Sequence, residues 1–455
     1  MRSSPRPPIA ASSTKLNGYL IKSAIAAALG GLLFGFDTAV IAGATRALTD
    51  VYQLTPALLG ITVASALWGT VLGSILAGVP ADRYGRRFSL LGMAAFYFAS
   101  GLGCALAWDW SSLVLFRVIG GLGIGGSSVI GPMYIAEIAP ARWRGRLVAL
   151  FQFNIVSGIL LAYLSNYLVG LAGLGDAEWR WKLGVSAAPA LLFGLMVLTI
   201  PESPRWLIKM RRVEEAKEIL RETGEPDYEN ETRDIIESID VEHGRAAEPL
   251  FQRKYRKPIL LAISIGMFNQ LAGVNAILYY LNDIFQFAGF SKISSDRQAV
   301  AIGATNFLFL LVAMSVIDRL GRRKLLLIGA AGTAACLAGV AAVFLSGHGQ
   351  YLLLWLLVAF IGFFSFSQGA VIWVYLSEVF PTRVRAKGQS LGSFTHWFMN
   401  AIISGTFPMM AAMSAGAPFA FFAAMTVLQF FVVLFFYPET KGLSLEQMQK
   451  ELAAS

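Results

Sequence analysis

Residues 82–87 of this chain read Asp82-Arg-Tyr-Gly-Arg-Arg87, and residues 318–323 repeat the pattern as Asp318-Arg-Leu-Gly-Arg-Arg323. A second pair follows at nearly the same spacing, because Tyr134-Ile-Ala-Glu-Ile-Ala-Pro140 recurs as Tyr375-Leu-Ser-Glu-Val-Phe-Pro381. A third match relates Pro201-Glu-Ser-Pro204 to Pro438-Glu-Thr-Lys441. Three matches at nearly one period indicate that the chain consists of two duplicated halves.

The composition around these motifs is that of a membrane protein. The chain has 455 residues, of which 56% are hydrophobic and 14% are charged, whereas soluble domains carry about 25% charged residues. This balance excludes a soluble enzyme and a globally disordered chain. A membrane-spanning helix needs about 20 apolar residues. Apolar runs of this kind occur twelve times, at 18–46, 57–79, 88–107, 111–137, 147–170, 180–200, 257–285, 297–317, 324–345, 350–378, 388–411 and 416–437.

We therefore predict an all-α membrane protein with twelve transmembrane helices in two six-helix repeats. Parallel repeats of this type are related by an axis along the membrane normal, with the substrate site where they meet. The predicted parts are a disordered cytoplasmic tail (1–17), an N-terminal bundle (18–200), a cytoplasmic helical linker (201–257), a C-terminal bundle (258–437) and a cytoplasmic tail (438–455).

The basic residues predict the orientation of these helices. Of the 37 Lys and Arg residues, 31 lie in the tails, in the linker and in the loops on one side of the membrane. Cytoplasmic loops collect Lys and Arg, so we expect both termini and the linker to be cytoplasmic. The same bias accounts for the net charge of +9, and we exclude nucleic acid as a partner.

Four motifs in this order resemble the sugar porter family of the major facilitator superfamily, and in particular its bacterial sugar–proton symporters. They are Gly78-x-x-x-Asp82-Arg-Tyr-Gly-Arg-Arg87, Pro201-Glu-Ser-Pro-Arg205, Gln270-x-x-Gly273-x-Asn275-x-x-x-Tyr279-Tyr280 and Pro438-Glu-Thr-Lys-Gly442. The resemblance covers nearly the whole chain. It implies the major facilitator fold and import of a hexose or pentose by alternating access, without covalent chemistry and without a cofactor or metal.

Charged residues at the predicted cytoplasmic ends of the helices suit a gate. Acids facing Arg clusters can hold helices together and release them, although the Arg clusters could also serve only as topology signals. Met314 replaces Gly78 in the second half, which leaves a close helix contact there in question. The predicted gating residues are Gly78, Asp82, Arg83, Arg86, Glu137, Arg144, Glu202, Arg205, Asp318, Arg319, Arg322, Glu378 and Arg385.

Polar side chains inside spans are costly in lipid and normally face a cavity or a neighbouring helix. Amides match sugar hydroxyls because both donate and accept, and aromatic rings suit the apolar face of a sugar. For any single amide the alternative is a hydrogen bond between helices. The predicted sugar-binding residues are Gln152, Asn269, Gln270, Asn275, Tyr280, Asn306, Trp373, His396, Trp397 and Asn400.

Two of these residues, and Ala370 in the tenth span, depart from the pattern that the resemblance implies. Asn269 is one methylene shorter than the glutamine that the resembling porters commonly have, and His396 stands where they often have an amide. Ala370 replaces a proline, which restores a backbone donor and predicts a stiffer tenth helix.

Asp37 in the first span and Arg117 at the start of the fourth are the candidates for energy coupling. An intramembrane acid with a basic partner is a functional site by default, because a pair that separates during transport makes protonation depend on conformation. The resembling proton-coupled symporters have an acid and an arginine at these positions. The alternative is a static ion pair that positions two helices.

Other functions remain open at this stage. A facilitative sugar or polyol uniporter would share the fold, and a sugar sensor would normally carry a longer cytoplasmic tail. A membrane enzyme is disfavoured because the motifs include no catalytic triad and no metal-ligand spacing. The run Gly120-Gly-Leu-Gly-Ile-Gly-Gly126 imitates a dinucleotide fingerprint, but within a span it predicts close helix packing. We expect a monomer in a bacterial inner membrane.

Overall fold

The computed structural model of the protein describes residues 16–244, 248–381 and 383–441, and within these the side chains of residues 240–244, 314 and 318 are not described. Most of the predicted tails, 1–17 and 438–455, therefore lies outside the described residues, as does the side chain of the predicted gating residue Asp318.

The first half of the chain folds into nine helices. They are α1 (Gly18–Val40), α2 (Thr45–Tyr52), α3 (Pro56–Leu76), α4 (Gly78–Tyr84), α5 (Arg86–Ala105), α6 (Trp110–Ile138), α7 (Ala141–Leu171), α8 (Glu178–Gly184) and α9 (Ala187–Val197). Side chains cap the starts of some of these helices: Asn17 accepts a hydrogen bond from the Leu20 amide at α1, and Asp109 forms a capping box with Ser112 at α6.

The linker and the second half continue in helices. The linker contains α10 (Pro204–Lys209), α11 (Val213–Glu222) and α12 (Tyr228–Gly244). The second half contains α13 (Arg256–Leu271), α14 (Val274–Tyr279), α15 (Leu281–Phe287), α16 (Lys292–Leu320), α17 (Arg322–Ser346), α18 (Leu353–Phe366), α19 (Gln368–Glu378), α20 (Arg385–Met413) and α21 (Ala417–Phe436).

In the described part of the chain, ten helical segments are long and apolar enough to cross a membrane. The remaining two predicted spans are also helical: α8 and α9 occupy the sixth position, and α20 occupies the eleventh. The predicted all-helical, multi-span membrane fold is confirmed.

Two predicted spans are interrupted. Gly273, with a φ of 79°, separates α13 from α14, and a Cβ there would collide with the ring of Phe422. The tenth span breaks at Ser367, which lies between α18 and α19 with φ −117° and ψ −87°. We expected Ala370 to stiffen this helix, but the interruption falls three residues before it.

Three hydrophobic cores show how the halves meet. We call the end of the bundle that carries the linker and the loops 85, 139–140 and 321 the linker end, and the opposite end the distal end. One core contains distal residues of both halves, such as Leu48, Trp179, Tyr280 and Phe407. At the linker end each half has its own core. Among the described residues, the halves therefore share a core at the distal end and have separate cores at the linker end.

The glycine-rich run of α6 packs as predicted. A Cβ on Gly121 would collide with the carbonyl oxygen of Ala66, and a Cβ on Gly125 would collide with that of Thr70. Both acceptors lie on α3, so small residues allow the two backbones to approach. This confirms the helix-packing interpretation of the run.

Candidate functional site

The interrupted helix α13–α14 carries three of the predicted amides. Because Gly273 breaks the helix, Asn269 and Gln270 end one segment while Asn275 begins the next. The side-chain amide of Asn275 donates to Gln270 Oε1 at 3.1 Å, and Gln270 Nε2 lies 3.2 Å from Asn269 Oδ1. Asn269 and Gln270 are buried. We call Asn269, Gln270, Asn275 and His396 the amide cluster.

His396 joins this cluster from α20. Gln270 Nε2 lies 3.1 Å from His396 Nε2 and 3.2 Å from its Nδ1. The His396 ring also contacts two aromatic side chains, with its centroid 5.2 Å from that of Trp373 and 5.0 Å from that of Trp397. Hydrogen-bonding groups and aromatic faces, the two components that sugar recognition needs, therefore meet at His396.

Asp37 and Arg117 line one cavity between the halves. The cavity is bounded by Phe34 and Thr38 of α1, by residues of α3 and α6, and by Tyr279 and Trp397 of the second half. Arg117 is buried and donates from Nε to the carbonyl oxygen of Thr62 at 3.1 Å. Arg117 is the charged group that acts electrostatically on Asp37, but in the described part of the structure the two side chains form no direct ion pair.

Tyr279 and Trp397 connect this cavity to the predicted sugar-binding residues. Asn400 Nδ2 donates to the Tyr279 hydroxyl at 3.4 Å, and the Trp397 ring lies 5.2 Å from that of Phe34. Tyr280, which we predicted instead of Tyr279, is buried and stacks on Phe407 at 4.9 Å. Its hydroxyl donates to the carbonyl oxygen of Ser404.

The two remaining predicted amides lie on the helices that pack across the interface of the halves. Gln152 is half-buried on α7, and Asn306 lies on α16, where its Oδ1 accepts a hydrogen bond from Ser365 at 2.7 Å. Helices α7 and α16 pack against each other. Among the described residues, neither side chain hydrogen-bonds to the amide cluster.

The predicted gate forms two equivalent networks, one in each half. In the first, Glu137 binds Arg86 through two hydrogen bonds of 2.9 and 3.0 Å. In the second, Glu378 binds Arg322 through bonds of 3.1 and 2.9 Å. Each glutamate also accepts from one hydroxyl, Ser203 in the first half and Thr440 in the second. Bidentate pairs of this kind are strong and geometrically specific.

A carboxylate caps the helix that follows each network. Glu202 Oε1 accepts from the amides of Arg86 and Arg87 at 2.8 and 3.1 Å. In the second half, Glu439 accepts from the amides of Arg322 and Arg323 at the same two distances, 2.8 and 3.1 Å. The preceding glycines, Gly85 and Gly321, have φ values of 95° and 87°. An anion at a helix N-terminus is favourable, so each acid stabilises the start of a spanning helix.

The other predicted gating residues have different surroundings. Asp82 is half exposed and pairs with Arg86 at 3.3 Å, and Arg83 lies over the Tyr84 ring. Arg144 approaches Glu231 of α12 at 3.9 Å, and Arg205 donates to Ser238 at 3.1 Å.

The last members of this set lie near the same end of the bundle. Arg385 donates to the carbonyl oxygen of Phe380 at 3.5 Å, and the Arg319 carbonyl accepts from Lys441. A Cβ on Gly78 would meet nothing within 4 Å, so Gly78 makes no close helix contact in this conformation.

The linker is attached to the second half near these networks. Lys387 of α20 donates to the carbonyl oxygen of Glu248 at 2.8 Å. The Glu248 carboxylate accepts hydrogen bonds from Lys254 and Tyr255, and the bond from Lys254 in particular lowers the pKa of this group.

The chain is similar to known transport proteins over most of its length. The family described as "Sugar (and other) transporter" matches residues 23–452. The arabinose-proton symporter of Bacillus subtilis is 37% identical over 442 residues, which cover 95% of each chain. The glucose transport protein of a Synechocystis strain is 36% identical over 445 residues, covering 93% of this chain and 95% of that protein.

A solved structure shows the same architecture. The inward-open conformation of the xylose transporter XylE from E. coli superposes with a TM-score of 0.85 at 34% identity, covering 95% of this chain and all of that one.

Proposed function

The chain belongs to the sugar transporter family, and from this premise we propose that it imports a monosaccharide together with protons by alternating access. It is a transporter rather than an enzyme. The observation that carries the proposal is the arrangement of Tyr279 and Trp397, which line the cavity of Asp37 and also contact Asn400 and His396 of the predicted sugar site. A proton and a sugar would thus act on the same side chains.

The sugar would bind at the amide cluster. Its hydroxyl groups would exchange hydrogen bonds with Gln270, Asn275 and His396, which form one hydrogen-bonded group centred on Gln270. Trp373 is the aromatic side chain available to cover the sugar ring, because 37% of its surface is exposed. Gln152, Asn306 and Asn400 would complete the site as the halves close around it.

The proton would bind at Asp37. Its charged form is costly in a buried cavity and is favoured by Arg117, so a small displacement of either helix changes its tendency to take up a proton. The two side chains share a cavity and, among the described residues, form no direct ion pair, so Asp37 would be available to a proton in this conformation.

We assign the linker end to the cytoplasm and the distal end to the exterior, consistent with the basic residues of the linker-end loops. The arrangement in which the halves join only at the distal end would then be the state that faces the cytoplasm. The networks of Glu137 and Glu378 would act as cytoplasmic gating elements by keeping each half rigid as it moves. The similar xylose transporter comes from E. coli, which supports a bacterial inner membrane as the location.

Reconstitution into proteoliposomes tests the proposal. Addition of the transported sugar should make the external medium alkaline, and an inward proton gradient should drive sugar accumulation. A uniporter would show sugar counterflow without either response. Counterflow against a panel of hexoses, pentoses and cyclitols would identify the substrate. Failure of every sugar in that panel would contradict the proposed function.

A further inference from the structure

Four charged side chains meet between the halves at the distal end. Glu178 and Lys182 lie on α8 of the first half, and Lys292 and Asp296 lie on α16 of the second half. Lys182 Nζ lies 3.2 Å from Asp296 Oδ2, and Lys292 Nζ lies 2.8 Å from Glu178 Oε2. Both contacts join one half to the other.

This quartet is buried at its centre. The side chains of Lys182 and Asp296 are each 1% exposed, and Glu178 is 9% exposed. Lys182 also contacts Glu178 at 2.8 Å, and Asn282 donates to the other oxygen of Asp296. The two acids and two lysines compensate one another, which is the condition under which charges are tolerated in an interior.

The backbone leaves room for this arrangement. A Cβ on Gly170 of α7 would lie 2.8 Å from Asp296 Oδ2 and within 4 Å of both Glu178 and Lys182. A side chain at this position would therefore require the Asp296 carboxylate to shift from its contact with Lys182. Apart from the quartet, polar contacts across the distal end include the bond from Arg46 to Gln286 and the bond from Tyr163 to the Leu278 carbonyl.

The energetic consequence differs between the two states of the transporter. While the distal end is closed, loss of the Lys182 charge leaves the buried Asp296 carboxylate without its cationic partner, which is strongly unfavourable. Lys292 is 53% exposed, so loss of its charge costs less. When the distal end opens, the same groups are exposed to water, and the loss of one charge then costs little free energy. A substitution in the quartet therefore shifts the population toward the open distal end, because a change that affects one state more than the other moves the equilibrium.

We propose that Glu178, Lys182, Lys292 and Asp296 form a lock that holds the distal end closed and positions the two halves during transport. The proposal concerns the conformational equilibrium only. It does not depend on which sugar is carried or on whether protons are coupled.

The test measures the separation of the halves at the distal end in the full-length protein. Cysteines introduced at the exposed residues Asp50 and Ile293 carry spin labels, and their distance distribution is recorded in lipid without sugar. The native Cys104 and Cys336 are buried, and a chain with only these two reports any background labelling.

Three variants separate a lock from a merely structural role. Lys182→Met leaves Asp296 without its cationic partner, and it should raise the ratio of open to closed distal ends by about tenfold or more. Asp296→Asn should shift the ratio in the same direction but less, since Lys182 still has Glu178 as an anionic partner. The double variant should be less open than Lys182→Met, because Asp296 is then no longer a buried unpaired charge, but more open than the parent, because the Lys182–Asp296 contact between the halves is lost.

A variant of an exposed ion pair in the linker provides the control. Arg212→Gln removes one partner of an exposed pair within the linker and should leave the distances unchanged. If Lys182→Met does not fold, Asp296→Asn and Gly170→Ala carry the test. Unchanged distances in these folded variants would overturn the proposal, and so would a double variant as open as Lys182→Met.

Discussion

Asn400 donates a hydrogen bond from Nδ2 to the hydroxyl group of Tyr279 at 3.4 Å. Tyr279 lines the cavity that holds Asp37, whereas Asn400 belongs to the predicted sugar-binding residues. Asn400 Oδ1 in turn accepts a hydrogen bond from Ser404 at 3.0 Å, so the amide is held from both sides. This contact is a physical connection between the candidate proton site and the candidate sugar site.

Tyr279→Phe removes the hydroxyl group that Asn400 contacts while keeping the ring in the cavity. We expect the half-saturating sugar concentration to rise about fivefold, which corresponds to about 1 kcal/mol for one hydrogen bond. Counterflow in proteoliposomes measures this change. Tyr280→Phe is the matched control, since its hydroxyl donates to the Ser404 carbonyl in the buried core. Equal effects of the two variants would show that Tyr279 does not face the site.

Asp37→Asn replaces the candidate proton carrier with a side chain that does not titrate. Under an inward proton gradient we expect the internal sugar concentration to rise no further than the external one, because proton release no longer drives the cycle. Counterflow should stay within about threefold of the parent, since Asn keeps the shape of the side chain. Asp50→Asn, at an exposed acid on α2, should leave accumulation intact. Sustained accumulation by Asp37→Asn would refute proton coupling at this residue.

Glu137→Gln tests the gating network of the first half. The Arg86 and Glu137 side chains are only 7% and 11% exposed, so loss of the charge should lower the free energy of unfolding by about 2 kcal/mol. Glu378→Gln should lower the free energy of unfolding by a smaller amount, because the Glu378 side chain is 26% exposed. Thermal unfolding in detergent compares the two variants with Glu214→Gln, which affects an exposed side chain of the linker. A larger loss for Glu378→Gln would contradict the role that we assign to burial.

The twelve membrane spans could be predicted from the sequence because lipid requires long apolar helices. The repeat of Asp82–Arg87 at 318–323 indicated that these spans form two halves. The hydrogen-bond partners of the predicted gating residues were not predictable from the sequence. Glu137 is seven residues before Arg144, but the fold brings it to Arg86, and Glu202 reaches the start of α5 from the end of the sixth span. Contacts between distant segments depend on how the helices pack, which local spacing does not specify.

The candidate site was predictable in composition and less so in orientation. Tyr279 and Tyr280 are adjacent, and consecutive helical residues point about 100° apart, so the two rings have different surroundings. Tyr279 lines the cavity of Asp37, whereas the Tyr280 ring stacks on Phe407. The distal quartet was missed because α8 and α16 are far apart in sequence.

Gly125→Ala tests the close contact between α3 and α6. The added Cβ would collide with the carbonyl oxygen of Thr70, so the helices must separate, and we expect the free energy of unfolding to fall by about 1–3 kcal/mol. Gly92→Ala on α5 is the control, because a Cβ there would meet nothing within 4 Å. Alanine favours helix over glycine, so the control should be neutral or slightly stabilising in thermal unfolding. Destabilisation of similar size by both variants would argue against a specific contact at Gly125.

His396 is the residue at which the amide cluster and the aromatic side chains meet, so its replacements should separate hydrogen bonding from packing. His396→Leu removes a partner of Gln270 and leaves a buried amide partly unsatisfied, which should raise the half-saturating sugar concentration at least about tenfold. His396→Gln keeps both a donor and an acceptor, and transport should persist with a changed preference among sugars of different hydroxyl geometry. Counterflow with a panel of sugars measures both effects. If His396→Leu transports with unchanged affinity, His396 contributes only packing against Trp373 and Trp397, and the hydrogen-bonding role of the amide cluster must be assigned elsewhere.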